Sequence, residues 1–325
     1  MTTADQLEVQ ALLAAQGFSQ PGASRRKLTG GGRHEVYLVE EGERRAVLKL
    51  HAPARGSGAL DSFEHELRCH RFLAAHLPEH VPALLGADST SRALLFECVE
   101  GTRPCAEQIN SALVGKMASF LIAANRPELR ARAAEADIPF ASEHGFSALH
   151  HLRNARQRIT ALLATSGEDL NAREMRDFVR DELSSSLQVW QSRCHTQEYN
   201  RTISQVFSPS DFGFHNVLLR RDGRCSFLDF EHAGWDDPAK LVADFILQPD
   251  FALAPALAAS FAEELARSEC FGHSLVGAVH FLLPVQAVKW TCIVLNPFLG
   301  PGRDAAALGS RLEKAKVYWR KVSSS

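Results

Sequence analysis

One short β-hairpin interrupts a long helical region of the sequence and limits the possible folds more than any other feature. Residues 216–219 and 225–230 have the pattern of two strands, separated by the turn Arg221-Asp222-Gly223. Helical periodicity dominates around it, over residues 107–124, 145–165, 171–195, 252–268, 275–296 and 303–319. A hairpin of this size brings its two ends together, so residues that flank it are expected to lie close in space.

Polar residues stand at both ends of this hairpin. Asp211 and Asn216 lie five residues apart just before the first strand, and Asp229 ends the second strand, 18 residues after Asp211. Taken alone, Asp211 and Asn216 could each be a turn residue. Together, the three side chains offer carboxylate and amide oxygens, which suit a hard cation such as Mg²⁺. A carboxylate beside that cation could orient a substrate hydroxyl and accept its proton.

The first hundred residues have a different pattern, in which short strands precede and follow one helix. A short helix is predicted over residues 4–16, and Asp61 or Ser62 can cap a second helix that runs to about Leu77. The predicted strands are 25–28, 34–39, 44–50, 83–87 and 92–98. We therefore expect an α+β protein of two lobes: an N-lobe at residues 1–101 with a five-stranded antiparallel sheet, and a larger, mainly helical C-lobe at 102–325.

A charged residue lies inside one of these strands. Lys49 belongs to the apolar strand 44–50, and alternation places it on the same face as Val47. An ammonium group in such a strand needs an anionic partner. The helix that follows offers Glu64 and Glu66, and the expected packing side of that helix slightly favours Glu66.

Composition and charge argue against several classes of protein. The net charge is −2, from 36 basic and 38 acidic residues, which disfavours sequence-independent nucleic-acid binding. The seven cysteines include no CxxC pair, which is typical of reduced thiols in a cytoplasmic protein. We expect no signal peptide and no membrane span, because charges or proline interrupt the apolar stretches 241–262 and 278–295. Both a monomer and a homodimer remain open.

Three consecutive glycines separate two of the predicted strands. At Gly30, Gly31 and Gly32, backbone N–H groups could approach phosphates without interference from a Cβ atom. Such a run taken alone is most often a tight turn. Its occurrence in order with Lys49, Glu66 and the hairpin residues favours a phosphate-binding loop.

In this order and spacing, the motifs resemble the aminoglycoside phosphotransferase and choline kinase family, which has the protein-kinase-like fold. The resemblance covers roughly residues 20–250. The matching segments are Leu28–Gly32, Ala46–Lys49, Phe63–Glu66, Leu94–Gly101, Asp211–Asn216, Leu228–Glu231 and Trp235–Pro238.

This resemblance implies an enzyme that transfers the γ-phosphoryl group of ATP to a hydroxyl group of a small molecule; the motifs do not choose between ATP and GTP. It implies that the glycine loop covers the phosphates and that Lys49, held by Glu66, contacts them. It further implies that the backbone of Glu97 and Val99 binds adenine beneath Val47, that Asp211 is the catalytic base, and that Asn216 and Asp229 hold Mg²⁺.

The sequence departs from the family at one position. The family usually has His-Gly-Asp in its catalytic loop, whereas this chain has Pro209-Ser210-Asp211. The change affects loop geometry more than chemistry, so we favour an active enzyme over a catalytically silent nucleotide-binding module.

The acceptor is the least determined part of the prediction, and we expect a sugar-like molecule or an amino alcohol. Trp235 could stack on a sugar or cap a cation, although a packing tryptophan fits the sequence as well. In the helix near the C-terminus, Lys289 is expected to reach the surface with its ammonium group. The candidate acceptor-binding residues are His215, Glu231, His232 and Trp235.

Overall fold

The structure, a computed structural model, divides into two compact units. It describes residues 3–19, 22–28, 34–53, 61–194, 204–251, 253–300 and 304–323. Unit 1 comprises Met1–Ser142 and Phe207–Trp235, and unit 2 comprises Glu143–Val206 and Asp236–Ser325. The lobe boundary after residue 101 falls inside unit 1 and stays a prediction.

A five-stranded antiparallel sheet forms the first part of unit 1. The strand order is β1-β2-β3-β5-β4, with all four pairings antiparallel. This confirms the sheet predicted from the sequence. The strands are β1 Ser24–Lys27, β2 Glu35–Glu41, β3 Arg44–Leu50, β4 Leu84–Asp88 and β5 Ala93–Glu97.

The two faces of β3 pack against different helices, as its alternation predicted. Leu48 and its neighbours on one face join the apolar core beneath α1 (Thr3–Ala15). Val47, on the other face, packs against an apolar cluster that includes Phe63 and Leu67 of α2 (Ser62–His76). Lys49 shares this second face and therefore points toward α2.

The N-terminus of α2 is fixed by the residue before it. Asp61 accepts hydrogen bonds from the backbone N–H groups of Phe63 (3.0 Å) and Glu64 (3.3 Å). Its carboxylate also pairs with Arg92 at 2.6 Å. This N-cap and ion pair set where the helix begins, and hence which of its acids face the sheet.

The remaining elements of unit 1 carry the predicted hairpin. It consists of β8 and β9, and β6 extends it to a three-stranded sheet, while β7 pairs with β10. Three short strands (β6, β7 and β10) and α4 were not expected from the sequence. The elements are β6 Gly101–Thr102, α3 Ser111–Ala124, α4 Pro127–Glu135, β7 Val206–Ser208, β8 Val217–Arg220, β9 Cys225–Phe227 and β10 Gly234–Asp236.

Unit 2 is built from helices around α10. This helix packs against α5, α8 and α11. A π-helical turn, Val179–Ser184, joins α6 to α7, and Asp237 caps α8 by accepting a hydrogen bond from the backbone N–H of Ala239. The helices are α5 Ala148–Leu163, α6 Leu170–Phe178, α7 Ser185–Cys194, α8 Pro238–Ile246, α9 Pro255–Ala266, α10 Leu275–Val294 and α11 Ala305–Ser323.

The structure corrects the expectation for the lysine of α10. Lys289 is buried rather than extended to the surface, and its Nζ lies 2.5 Å from Oδ1 of Asp244. The same Oδ1 accepts the indole N–H of Trp290 at 2.8 Å. Among the described helices, α10 alone is long and apolar enough to cross a membrane, but half of its most apolar window is buried in the fold.

A prediction follows from the close approach of two segments in unit 1. The backbone N–H of Trp235 donates to the carbonyl of Pro139 at 2.9 Å. Gly234, the residue before Trp235, has φ +154°. A Cβ atom at Gly234 would lie 2.2 Å from the Pro139 oxygen. We expect Gly234→Ala to lower the free energy of unfolding by about 3 kcal/mol or more, because a steric clash adds to backbone strain.

Gly223→Ala is the matched control for this measurement by urea unfolding. Gly223 also has positive φ (+80°), but a Cβ atom there would meet no atom within 4 Å. It should therefore cost only the backbone strain, about 1 kcal/mol. Equal losses for the two variants would contradict the close approach at Gly234.

Candidate active site

A single ammonium group lies at the centre of the site. Lys49 is 7% exposed, and its Nζ lies 2.6 Å from Oε2 of Glu66, 2.7 Å from Oδ1 of Asp229 and 3.2 Å from Oε2 of Glu231. Glu66 is the residue of α2 that faces the sheet, whereas Glu64 is exposed. The structure thus resolves the choice that the sequence left open. We call Lys49, Glu66, Asp229 and Glu231 the lysine cluster.

Charges in the lysine cluster do not balance. Three carboxylates surround one ammonium, so full ionisation leaves two negative charges without a counterpart. Burial alone would raise the pKa of Glu66, but the Lys49 charge and the contact with His51 together outweigh burial and lower it. For Asp229, burial prevails over the attraction of Lys49, and together with the neighbouring acids it raises the pKa. This excess of negative charge suits a divalent cation.

The predicted catalytic-loop residues lie beside the hairpin, where the sequence placed them. Nδ2 of Asn216 donates to the backbone carbonyl of Asp211 at 3.0 Å. The backbone N–H of Leu228 donates to the carbonyl of Asn216 at 2.9 Å, which holds Asp229 next to Asn216. The hairpin therefore brings its two polar ends together, and the geometric prediction is confirmed.

His215 contacts the predicted base directly. Its Nε2 lies 3.1 Å from Oδ2 of Asp211. Burial alone would lower the pKa of His215, but the contact with Asp211 and the nearby Asp229 charge raise it. The imidazole can therefore hold the Asp211 carboxylate in place as a hydrogen-bond donor.

Two residues of the site have left-handed backbone conformations. Ser210 has φ +66° and Asp229 has φ +65°, both uncommon for residues with a Cβ atom. The Ser210 N–H donates to Oγ of Ser208 at 3.0 Å, and the Ser210 hydroxyl donates to the carbonyl of Ser142 at 3.4 Å. These contacts support the loop in which Pro209 replaces the family's usual histidine.

The residues predicted to bind adenine lie at the end of β5 and just after it. Glu97 ends β5, and its backbone N–H donates to the carbonyl of Ala83 at 2.9 Å. Val99 is half-buried in the segment after β5. The predicted glycine loop, with Gly30, Gly31 and Gly32, lies outside the described residues.

The candidate acceptor residues do not all lie at equal depth. Glu231 belongs to the lysine cluster, and its side chain is 13% exposed against 40% for His232. His232 contacts the Ser142 hydroxyl through Nδ1 at 2.9 Å. Trp235 is half-buried and lies opposite Phe140 in a parallel bridge.

Two histidines next to the lysine cluster were not singled out from the sequence. Nε2 of His34 lies 2.7 Å from Oε2 of Glu231, and Nε2 of His51 lies 3.1 Å from Oε2 of Glu66. Alternation along β3 could have predicted that His51 lies on the same face as Lys49, because residues 47, 49 and 51 share a face. The β2–β3 register pairs Val36 with Lys49, which extends to place His34 opposite His51.

The family model described as Phosphotransferase enzyme family matches residues 24–277 of the chain. The match covers well over half of the 325 residues. The chain therefore belongs to this family and is an ATP-dependent phosphotransferase with an alcohol group as acceptor. Among curated proteins, none matches the sequence significantly.

Solved structures of the same fold cover nearly the whole chain. The Plasmodium vivax ethanolamine kinase is 12% identical, with 97% of this chain and 88% of that chain covered and a TM-score of 0.64. Choline kinase LicA from Streptococcus pneumoniae is 13% identical, with 98% and 100% covered and a TM-score of 0.61. The ADP-bound aminoglycoside phosphotransferase APH(2'')-Ib is 14% identical, with 99% of both chains covered and a TM-score of 0.61. These similarities show the two-lobed kinase-like fold.

The contact between Lys49 and Glu66 generates a prediction about stability. Glu66→Gln leaves the buried ammonium without one of its anionic partners, which we expect to lower the free energy of unfolding by about 3 kcal/mol. The pKa of Glu66 is lowered in the fold, so this carboxylate stabilises the fold above its ordinary value of 4.5. The difference between wild type and variant should therefore shrink as pH falls below 4.5.

Glu64→Gln is the control, because Glu64 is exposed two residues earlier on the same helix. It should unfold like the wild type in urea at pH 7. If the two variants were equally stable, Glu66 would not be the partner of Lys49.

Proposed function

We propose that the protein transfers the γ-phosphoryl group of ATP, with Mg²⁺, to a hydroxyl group of a sugar-like or amino-alcohol molecule. The observation that carries this proposal is the lysine cluster, in which a buried ammonium meets Glu66 and Asp229 at 2.6 and 2.7 Å. Family membership supplies the reaction class, and the cluster supplies groups with the charge and placement that the reaction needs.

Nucleotide binding is assigned to unit 1. Lys49, positioned by Glu66, contacts the α- and β-phosphates, and Gly30, Gly31 and Gly32 cover the phosphates from above. The backbone of Glu97 and Val99 binds the adenine beneath Val47. The APH(2'')-Ib structure contains ADP, which supports nucleotide use within this fold.

Metal binding is assigned to the two ends of the hairpin. Asn216 and Asp229 supply an amide and a carboxylate oxygen, the donor types that Mg²⁺ prefers. The two uncompensated negative charges of the lysine cluster support a dication at this place. Bound Mg²⁺ would neutralise charge on the phosphate oxygens during transfer.

Asp211 is proposed as the catalytic base. It accepts the proton of the acceptor hydroxyl and orients the oxygen for attack on the γ-phosphorus. His215 and Asn216 hold its carboxylate and backbone, at 3.1 and 3.0 Å. Most of the rate enhancement then comes from positioning and charge neutralisation rather than covalent chemistry.

The acceptor class rests on relatives and on a few side chains. Structures of the same fold include an ethanolamine kinase, a choline kinase and an aminoglycoside phosphotransferase. His215, His232 and Trp235 remain the proposed acceptor contacts. Glu231, the fourth candidate, contacts Lys49 and His34 and is proposed to act through the lysine cluster.

A cytoplasmic location is part of the proposal, because ATP is an intracellular substrate. It is supported by the seven cysteines, all of which are free thiols. We further propose that a monomer or homodimer acts on its small-molecule acceptor without nucleic acid or membrane as a partner.

A second candidate function is a silent nucleotide-binding module, which Pro209 favours. Against it stand the hydrogen bonds that Ser208 and Ser142 make with Ser210 next to the base. Turnover of any acceptor distinguishes the two candidates.

Replacing the base tests the proposed reaction. Asp211→Asn should lower turnover by about 10²- to 10⁴-fold, because proton transfer is lost, while Mg²⁺-ATP binding stays within a few-fold of wild type. The measurement is ADP release across a panel of sugars and amino alcohols, with nucleotide binding by calorimetry.

Asp222→Asn is the control, since Asp222 lies in the exposed turn of the same hairpin. It should keep wild-type turnover. Near-wild-type turnover by Asp211→Asn would refute the mechanism. Nucleotide binding by the wild type without ADP release from any acceptor would favour the silent module.

A further inference from the structure

Two buried histidines flank the lysine cluster on its sheet side. The side chain of His34 is 5% exposed and that of His51 is fully buried, and their ring centroids lie 4.5 Å apart. Each ring directs Nε2 at a carboxylate of the cluster: His34 at Glu231 and His51 at Glu66. The proposed mechanism assigns neither histidine a role.

Hydrogen bonds on the opposite side of the rings indicate which nitrogen carries the proton. The backbone N–H of Ala52 donates to Nδ1 of His34 at 3.0 Å, so Nδ1 must offer its lone pair. The proton of the neutral His34 ring then lies on Nε2, which faces Glu231. Nδ1 of His51 is 3.3 Å from the hydroxyl of Ser62, which can donate to it in the same way. Burial lowers the pKa of His51 and favours its neutral form.

A metal ion is the competing explanation for this arrangement. Ligand atoms of His34, His51 and Glu231 all lie within 4.8 Å of one another. A histidine binds metal through a lone pair, however, and the Ala52 N–H occupies the lone pair of His34 on the other nitrogen. The His34 Nε2 therefore bears a proton, and we favour a hydrogen-bond donor over a metal ligand.

Lysine and histidine compete for the same carboxylate oxygens. Oε2 of Glu231 lies 2.7 Å from His34 and 3.2 Å from Lys49, and Oε2 of Glu66 lies 3.1 Å from His51 and 2.6 Å from Lys49. Both histidine Nε2 atoms lie close to a carboxylate oxygen, but neither makes a hydrogen bond of normal geometry. Lys49 donates a hydrogen bond to Glu66 but makes only an ion-pair contact with Glu231, whose Oε2 has no hydrogen bond of normal geometry, and the histidine N–H groups lie within reach of both carboxylates.

Nucleotide binding changes this balance. When Lys49 contacts phosphate oxygens, its charge is shared with the nucleotide, and Glu231 loses its more distant lysine contact first. A buried carboxylate left without a donor is costly. We propose that His34 and His51 are positioning residues: when Lys49 engages the nucleotide, His34 takes over Glu231 as a hydrogen-bond donor, and His51 shares Glu66 with Lys49. This inference rests on the proposed function, which assigns Lys49 to the phosphates.

Loss of the His34 side chain should affect the nucleotide-free and the nucleotide-bound protein differently. In His34→Leu, the Lys49 ammonium still lies 3.2 Å from Oε2 of Glu231 and compensates its charge as long as no nucleotide is bound. Loss of the donor destabilises mainly the nucleotide-bound protein, so the dissociation constant for Mg²⁺-ATP should rise about tenfold or more. His34→Gln retains an N–H donor of similar reach and should restore the dissociation constant to within about threefold of wild type.

His70→Leu is the matched control. His70 is also buried, but its Nε2 donates to the carbonyl of Pro82 at 2.7 Å and faces no carboxylate of the cluster. It should lower the melting temperature of the chain and leave the dissociation constant for Mg²⁺-ATP unchanged. If the role of His34 were purely structural, His34→Leu would also lower the melting temperature and leave the dissociation constant unchanged.

The experiment is calorimetric titration of the full chain with Mg²⁺-ATP, combined with melting curves without nucleotide, and it needs no acceptor. Weaker binding by His34→Leu, recovered in His34→Gln and absent in His70→Leu, supports the inference. Equal binding by wild type and His34→Leu overturns it, as does equal weakening in His70→Leu. His51→Leu and His51→Gln provide the same comparison should His34→Leu fail to fold.

Two further outcomes separate this inference from its alternatives. If Zn²⁺ alone raised the melting temperature of wild type but not of His34→Leu, the histidines would be metal ligands and the donor role would be overturned. If wild type bound no Mg²⁺-ATP, the proposed function would fail, and this inference with it. Binding by wild type that His34→Leu fully retains would overturn the histidine role alone.

Discussion

The buried ammonium of Lys49 is the constraint on which the rest of unit 1 depends. A charge at this depth is tolerated only with anionic partners, and the chain supplies Glu66 at 2.6 Å and Asp229 at 2.7 Å. The ammonium and these two partners come from three different elements: a central strand carries Lys49, a helix carries Glu66, and Asp229 follows the hairpin. Lys49 therefore contacts both partners only when the alternation of β3, the cap of α2 and the register of the hairpin form together.

The same cluster is better suited to binding than to stability. Three carboxylates around one ammonium leave negative charge that a fold alone would have no reason to retain, and burial together with the neighbouring acids raises the pKa of Asp229. Neutral histidines next to Glu231 and Glu66 add donors without adding positive charge. Every carboxylate of the lysine cluster thus remains within reach of a donor.

Local pattern was enough to predict part of this arrangement. Alternation placed Lys49 and Val47 on one face, and the spacing of Asp211, Asn216 and Asp229 around a hairpin placed those residues together. Contacts between distant residues could not be predicted in this way. The apolar helix around Lys289 suggested a lysine that reaches water, but its partner Asp244 lies 45 residues earlier and becomes visible only when α8 packs on α10. His34 was missed because its role depends on Glu231, which the sequence suggested for the acceptor instead.

The central claim is that the lysine cluster carries uncompensated negative charge and therefore binds the nucleotide together with Mg²⁺. Its most direct test is calorimetric titration of ATP into wild type and Asp229→Asn, each with Mg²⁺ and with a chelator. We predict that Mg²⁺ strengthens ATP binding to wild type by at least about tenfold and that most of this gain disappears in Asp229→Asn. Equal ATP affinity of the wild type with and without Mg²⁺ would contradict the account.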